Sequence, residues 1–172
     1  MTLRTLLSFP DPVNEKAART VAAGVVLMSV AAIASRQSWL LVVVAAGFWA
    51  RVLTGPTLSP LGRLATSVVA PALGEAKLVP GPPKRFAQAI GTLFSTTAVL
   101  LWFAADDHVA ALAVIGALSV AALLEAALGL CLGCKAFGAL MRLGLVPASV
   151  CEACADLSLR HPELRGARRV AP

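Results

Sequence analysis

The chain has 172 residues, enough for one domain, and 58% of them are hydrophobic whereas only 14% are charged. Because soluble domains are usually about 45–50% apolar and about 25% charged, a soluble fold of this size could not bury so much apolar surface. The formal net charge of +6 does not indicate nucleic-acid binding, since the cations flank apolar runs instead of lining one polar face. The composition predicts an integral membrane protein.

Four apolar runs predict a polytopic all-α protein with four transmembrane helices. About 20 helical residues are needed to cross a hydrocarbon core about 30 Å thick. The predicted spans cover about residues 17–35, 39–53, 84–104 and 108–134, and the last helix continues to residue 143. The second run is short, but Trp39 and Trp49 suit the membrane interfaces and Arg51 can extend towards the headgroups.

Two segments outside these spans carry helix-start signals. Asp11 as an N-cap and Pro12 at the first helical position predict where the first helix begins. The first apolar run has the length of a span, so it is expected to remain in the mature protein. Between the second and third spans, Ser59 and Pro60 predict an amphipathic helix in the cytoplasmic interface, with an irregular loop as the alternative.

Positive charges predict the orientation in the membrane. Of the 15 Lys and Arg residues, only Arg36 falls in the loops on the side opposite the termini. The positive-inside rule therefore places both termini and the middle segment in the cytoplasm. The predicted organisation is a cytoplasmic N-terminal segment (1–16), a four-helix membrane domain (17–143) and a cytoplasmic C-terminal segment (144–172) with a short helix.

The four cysteines form two CxxC pairs separated by sixteen residues. They are Cys131, Cys134, Cys151 and Cys154, all at or after the end of the fourth predicted span. Stable disulfides are unusual on the cytoplasmic side, because that compartment is reducing. The spacing fits a site in which all four cysteines bind zinc. It also fits two pairs that exchange thiol, disulfide or persulfide sulfur, and the plainest alternative is helix packing without chemistry.

The residues around the second pair favour redox chemistry. Ser149 and Glu152 form a capping-box pattern, which places Cys151 in the first turn of a helix, where the helix dipole favours a thiolate. Cys154 lies three residues later and could resolve a disulfide or persulfide. The positive charge of Lys135 would favour a thiolate in the first pair. Cys151 is accordingly the predicted nucleophile.

Glu125 is an ionisable residue inside the predicted fourth span, and such residues are functional candidates because stranding them in lipid is costly. It is predicted either to carry protons for thiol chemistry or to pair with Arg51 or the hydroxyls of Thr96 and Thr97 on a neighbouring helix. In a continuous ideal helix it would lie about 240° from Cys131, so contact between the two is not predicted.

Two other patterns have a structural and a functional explanation. Gly129 and Gly133 form a GxxxG pattern, which predicts close helix packing around the first cysteine pair. The cations near the middle segment are either ordinary topology signals or a basic mouth for a small anion such as thiosulfate. These cations are Arg51, Arg63, Lys84 and Arg85.

Three motifs follow one another along most of the chain: FPDPVNE at 9–15, PKRFAQAIG at 83–91 and CLGC at 131–134. Together they resemble a bacterial, mainly actinobacterial, family of small membrane proteins known only as a domain of unknown function. The resemblance implies a four-helix protein of the bacterial inner membrane. Members are often encoded near thioredoxin-like and sulfurtransferase proteins, which implies a partner of that kind. The resemblance supplies no catalytic residues.

The sequence therefore predicts a lipid-embedded protein that handles thiol, disulfide or persulfide sulfur through its two CxxC pairs, with Glu125 as a possible proton carrier. One alternative is a membrane scaffold without enzymatic activity, in which zinc bound by the four cysteines holds the C-terminal helix against the bundle. Another is a transporter of a small sulfur anion. Four short spans without a repeat would then have to assemble as a homo-oligomer.

Overall fold

The structure is a computed structural model that describes residues 9–146. This part of the chain is all-helical, as predicted, with six helices and one pair of two-residue strands. The helices are α1 (Glu15–Ser35), α2 (Ser38–Thr54), α3 (residues 60–72), α4 (Gly81–Phe103), α5 (His108–Leu128) and α6 (Leu132–Arg142). The strands are β1 (Val13–Asn14) and β2 (Leu78–Val79), which pair antiparallel.

Three of these helices, α1, α4 and α5, are long and apolar enough to cross a membrane. Helix α2 is apolar but has only 17 residues. The first and last residues of these four helices lie within a few residues of the predicted span boundaries, except that α5 ends six residues before the predicted end of the fourth span. Two short turns join them in pairs: Arg36–Gln37 between α1 and α2, and Ala104–Asp107 between α4 and α5.

Helix α1 does not begin with Asp11 as its N-cap, so that prediction is wrong. The cap is Asn14, whose side chain accepts a hydrogen bond from the backbone N–H of Lys16 at 3.0 Å. Residues 13 and 14 are extended because they pair with β2, which delays the start of the helix. Asp11 accepts a hydrogen bond from the N–H of Gly81 at 2.9 Å instead, and so holds the N-terminal segment against the start of α4.

The segment between α2 and α4 contains a helix, as the first of its two predictions has it, whereas the position of this helix in the cytoplasmic interface stays a prediction. Ser59 is the N-cap and accepts the N–H of Gly62 at 3.2 Å, as its sequence position beside Pro60 predicts. Helix α3 consists of Pro60–Leu64, a π-helical turn at Ala65–Val69, and Ala70–Ala72. The buried residues Ala65 and Ala70 pack it against α1.

The predicted continuous helix from residue 108 to 143 is wrong, because the chain breaks between α5 and α6. Gly129 has a left-handed backbone with φ of +68°, and the N–H groups of Gly129 and Leu130 bond the carbonyls of Glu125 and Leu124. This is the usual end of a helix at glycine. Helix α6 then starts anew at Leu132 with Cys131 as its N-cap.

Helix α6 folds back onto α4. Gly133 lies so close to Ala87 that a Cβ atom at Gly133 would approach the Cα atom of Ala87 to 2.6 Å. The rings of Phe137 and Phe86 pack at a tilt, with 5.5 Å between their centroids. The GxxxG pattern thus combines a packing contact at Gly133 with a helix end at Gly129.

The interior of the helix bundle combines large apolar side chains such as Leu41 and Ile115 with small ones, and many large apolar side chains lie on the outside. Helix α1 packs on α5, α2 on α4, and α4 on α5. Ser29, Ser95 and Ala98 are fully buried, whereas Leu27 is 72% exposed and Val109 is 80% exposed. This distribution suits a bundle surrounded by lipid, where small residues allow close helix approach and the outer face remains apolar.

Candidate functional site

Glu125 forms a short ion pair with Lys84, with 2.6 Å between Oε1 and Nζ. Both side chains are largely buried, at 16% and 10% exposure. The predicted partners Arg51, Thr96 and Thr97 are therefore wrong. Helices α4 and α5 are joined by a tight turn and run antiparallel, so the beginning of α4 meets the end of α5. The sequence indicates Lys84 only as a topology signal or as part of a basic mouth, so it does not reveal this pair.

Cys131 and Cys134 occupy the first turn of α6. Cys131 Sγ accepts the backbone N–H of Cys134 at 3.4 Å, which makes Cys131 the side-chain cap of this helix. Cys131 is buried and Cys134 is half-buried. An N-terminal helix turn favours a thiolate through its dipole and free N–H groups. The helix-dipole effect that was predicted for Cys151 therefore applies to Cys131, where the sequence did not predict it, because Cys131 is the N-cap of α6.

The two thiols have different acidities because they interact with each other. A hydrogen bond from the Cys134 side chain lowers the pKa of Cys131, and the positive charge of Lys84 acts in the same direction against burial and the charge of Glu125. The same bond raises the pKa of Cys134, and burial raises it further. These interactions favour a thiolate at Cys131 and disfavour one at Cys134.

An open pocket of about 370 Å³ lies beside the cysteines. Its lining includes both thiols, Lys84, the exposed Lys135 and the turn residue Gly129. The helix break makes this arrangement possible, because a continuous helix would have turned Cys131 away from Glu125 and its partner. The pocket brings together two thiols and two cations, with Glu125 bonded to one of them.

The second cysteine pair, Cys151 and Cys154, lies outside the described residues, as do Ser149 and Glu152. Within residues 9–146, no three His, Cys, Asp or Glu side chains lie together in a way that could hold a metal ion. The zinc site of four cysteines needs the second pair, so it remains a prediction from the spacing.

The four cations of the predicted basic mouth have separate environments. Lys84 pairs with Glu125, while Arg85 Nε donates to the carbonyl of Val52 at 3.3 Å. Arg63 is exposed on α3. Arg51 is buried, with 4% exposure, and donates from Nε to Gln88 Oε1 at 3.0 Å. A single mouth for an anion is therefore not formed by these four side chains.

Comparison with known proteins gives one family and no characterised relative. The chain matches no curated protein and no solved structure. Residues 13–142, which include α1 to α6, match the family described as a domain of unknown function, DUF4395. The match covers most of the 172 residues, and the chain belongs to this family.

Proposed function

We propose that this protein is a membrane thiol-exchange protein whose reactive pair is Cys131 and Cys134. The observation that carries the proposal is the position of Cys131 Sγ at the start of α6, 3.4 Å from the N–H of Cys134 and in the wall of an open pocket. A thiol at a helix N-terminus, with a second thiol three residues later, is suited to disulfide chemistry.

The membrane part of the proposal has four spans, with α2 as the second. Its 17 residues cover about 25 Å at 1.5 Å per residue, and the tight turn from α1 supports a path of α2 back across the same bilayer. The distribution of Lys and Arg supports cytoplasmic termini in a bacterial inner membrane. The first cysteine pair then faces the cytoplasm, beside the beginning of α4 and the end of α5.

The disulfide branch of the reaction proceeds in two exchanges. The Cys131 thiolate attacks one sulfur of a partner disulfide, and the other partner sulfur leaves as a thiolate that takes up a proton. Cys134 then gives up its proton and attacks the Cys131 sulfur of the mixed disulfide. The second partner thiol leaves, and a Cys131–Cys134 disulfide remains. The pair has then reduced the partner disulfide by two electrons.

The persulfide branch uses the same nucleophile. The Cys131 thiolate attacks the outer sulfur of a persulfide, the sulfur–sulfur bond breaks, and the donor leaves as a thiol after protonation. Cys131 now carries the persulfide. Attack by Cys134 on the Cys131 sulfur releases hydrogen sulfide and leaves the disulfide. A thioredoxin-like or sulfurtransferase protein would act as the partner, with Cys151 and Cys154 as the second exchanging pair.

Lys84 and Glu125 are positioning residues in this proposal. Lys84 contributes positive charge near Cys131, and Glu125 fixes the ammonium group through the 2.6 Å contact. This role replaces the predicted proton carrier, because Glu125 has a buried cation as its direct partner. The arrangement would hold a negative sulfur species at the pocket without a metal ion.

The test uses the full chain with Cys151→Ser and Cys154→Ser, so that only the first pair can react. Purified protein is treated with oxidised glutathione or glutathione persulfide, and adducts are located by mass spectrometry. In this background, Cys134→Ser should accumulate a stable adduct on Cys131. In Cys131→Ser, Cys134 should be modified at pH 7 more slowly than Cys131 is in Cys134→Ser, because burial still raises the pKa of Cys134.

Equal modification of Cys134 in the Cys131→Ser variant would contradict the proposal, because the first cysteine would then have no special reactivity. Metal analysis of the wild-type chain is the second arm. About one zinc per chain, with thiols that react only after chelation, would support the four-cysteine scaffold instead.

A further inference from the structure

Arg51 is a buried cation without a carboxylate partner among residues 9–146. Its Nε donates to Gln88 Oε1 at 3.0 Å and its Nη1 donates to Ser59 Oγ at 3.4 Å. Its carbon Cζ lies 4.5 Å from the centroid of the Phe48 ring. The remaining nitrogen, Nη2, is buried and has no hydrogen-bond partner in the described part of the chain.

This arrangement leaves the positive charge uncompensated. A buried charge is costly unless it is paired and hydrogen-bonded, and one unsatisfied donor on a charged group costs still more. An arginine cannot lose its proton to avoid this cost. Neutral partners and one aromatic face reduce the cost but do not supply a negative charge. The site is therefore electrostatically incomplete in the protein alone.

A cavity of about 70 Å³ adjoins Arg51. Its lining combines polar groups, which include Gln88 and Thr66, with apolar residues of the N-terminal segment such as Phe9 and Pro10. Since a cavity needs roughly 10–15 Å³ to hold a single water, this one takes several waters or one small ion. It is too small for an organic cofactor.

The donors present around Arg51 favour an oxyanion. The guanidinium group is planar and presents parallel N–H groups, which match the oxygen pairs of sulfate-like and phosphate-like ions. Gln88 uses its carbonyl oxygen for Arg51, which leaves its amide NH2 as a donor. Ser59 accepts from both Arg51 and Gly62, which leaves its hydroxyl hydrogen as a donor.

We propose that Arg51, with Gln88, forms a binding site for one small tetrahedral oxyanion of the sulfate, thiosulfate or phosphate class, while Ser59 holds the guanidinium group in place. The ion neutralises the buried guanidinium and accepts a hydrogen bond from Nη2. The site is independent of the cysteine pair, since none of its residues lines the cysteine pocket. The oxyanion is either a free ion or the phosphate of a lipid headgroup.

The test measures binding of radiolabelled sulfate to the full chain in neutral detergent, after lipid removal. Wild-type protein should bind about one sulfate per chain. Arg51→Gln and Arg51→Lys should each weaken binding at least about tenfold, because a hydrogen bond to a charged group contributes about 1.5–3 kcal/mol. Arg63→Gln is the matched control, since Arg63 is exposed on α3, and it should bind like the wild type.

Gln88→Glu guards against misfolding of the Arg51 variants, because it keeps the cation and an oxygen that accepts from Arg51 Nε, and replaces only the amide donor with a carboxylate that repels the ion. It should weaken binding several-fold without lowering the thermal unfolding temperature of the apo protein. Competition separates the two sources: inorganic phosphate or thiosulfate displaces sulfate from a site for free ions, whereas only micelles with anionic phospholipid displace it from a headgroup site. Absence of sulfate binding to the wild type, or equal binding by Arg51→Gln, would overturn the proposal.

Discussion

The reactivity proposed for Cys131 depends on its local hydrogen bonds more than on its position in the sequence. It accepts the backbone N–H of Cys134, and the Cys134 thiol also donates to it. Burial and the charge of Glu125 oppose the thiolate, whereas the charge of Lys84 favours it. The thiol hydrogen bond is the largest of these effects, so the pKa of Cys131 is expected to respond most strongly to changes at Cys134.

Replacing Cys134 with alanine should therefore make Cys131 less acidic. The rate of alkylation follows the thiolate fraction, and ordinary cysteines ionise near pH 8.5. With Cys151→Ser and Cys154→Ser present, the midpoint for Cys131 should lie below this value in the parent and shift upwards in Cys134→Ala. Alkylation at pH 7 should slow accordingly. Cys134→Ser keeps a donor and should give an intermediate midpoint, whereas identical midpoints in all three proteins would contradict the account.

Removal of one partner of the Lys84–Glu125 pair should destabilise the fold, whereas removal of both partners should have a much smaller effect. Glu125→Gln leaves a buried ammonium without its counter-charge and should destabilise the fold by about 3 kcal/mol, whereas the double variant Lys84→Met, Glu125→Leu should recover most of the loss. Thermal unfolding in detergent provides the measurement. As a control, Lys77→Gln removes the exposed partner of Glu15 and should cost less than about 1 kcal/mol.

At the residue scale, the sequence indicates the candidate residues of the first cysteine pair and Glu125 but not their partners. The first CxxC pair and the buried Glu125 are recognisable because cysteines are few and a carboxylate in an apolar run is unusual. Lys84 could not be assigned to Glu125, since a cation at the edge of a span also serves as a topology signal. The assignment of Asp11 as a cap failed because a long-range strand pair competes with a local capping pattern.

Among the secondary-structure elements, the break between α5 and α6 has the largest functional consequence. Gly129 ends α5 in a left-handed conformation, and this places Cys131 at the start of α6 instead of on the face of a longer helix. The apolar pattern continues through the break, and Gly116 and Gly138 lie within helices without ending them. For this reason the helix boundary could not be predicted from the sequence, although the helical content could.

Gly129→Ala tests the importance of this break. A side chain in the left-handed region costs about 1–2 kcal/mol, and a Cβ atom would also lie 3.0 Å from Glu15 Oε1. We expect lower stability and slower alkylation of Cys131 at pH 7, because α6 is displaced. Gly116→Ala is the matched control within α5, where a Cβ atom meets no atom within 4 Å. It should leave alkylation unchanged and leave stability equal or higher; slower alkylation in both variants would contradict this explanation.

In the whole molecule, both candidate sites lie at one end of the bundle. Lys84 and Gln88 are neighbours on the first turns of α4, Glu125 is near the end of α5, and Arg51 is near the end of α2. The opposite end contains the α1–α2 and α4–α5 turns. The charge distribution along the sequence predicted this division, since cations are concentrated at the end with the sites.

Side-specific labelling tests the proposed orientation. In a background with all four cysteines replaced by serine, Gln37→Cys places a thiol in the exposed α1–α2 turn and Arg63→Cys places one on exposed α3. A membrane-impermeant maleimide should label Gln37→Cys in intact spheroplasts and Arg63→Cys only in inverted vesicles. Labelling of Arg63→Cys from the outside would contradict cytoplasmic termini.

The central claim, that Cys131 and Cys134 form a reversible redox pair, is tested most directly by equilibrating the full chain in glutathione redox buffers. The background carries Cys151→Ser and Cys154→Ser, and peptide mapping by mass spectrometry quantifies the disulfide at each potential. The account predicts a Cys131–Cys134 disulfide that forms and disappears in one reversible two-electron transition. Two thiols that stay reduced at every potential, in a protein that remains folded, would contradict it.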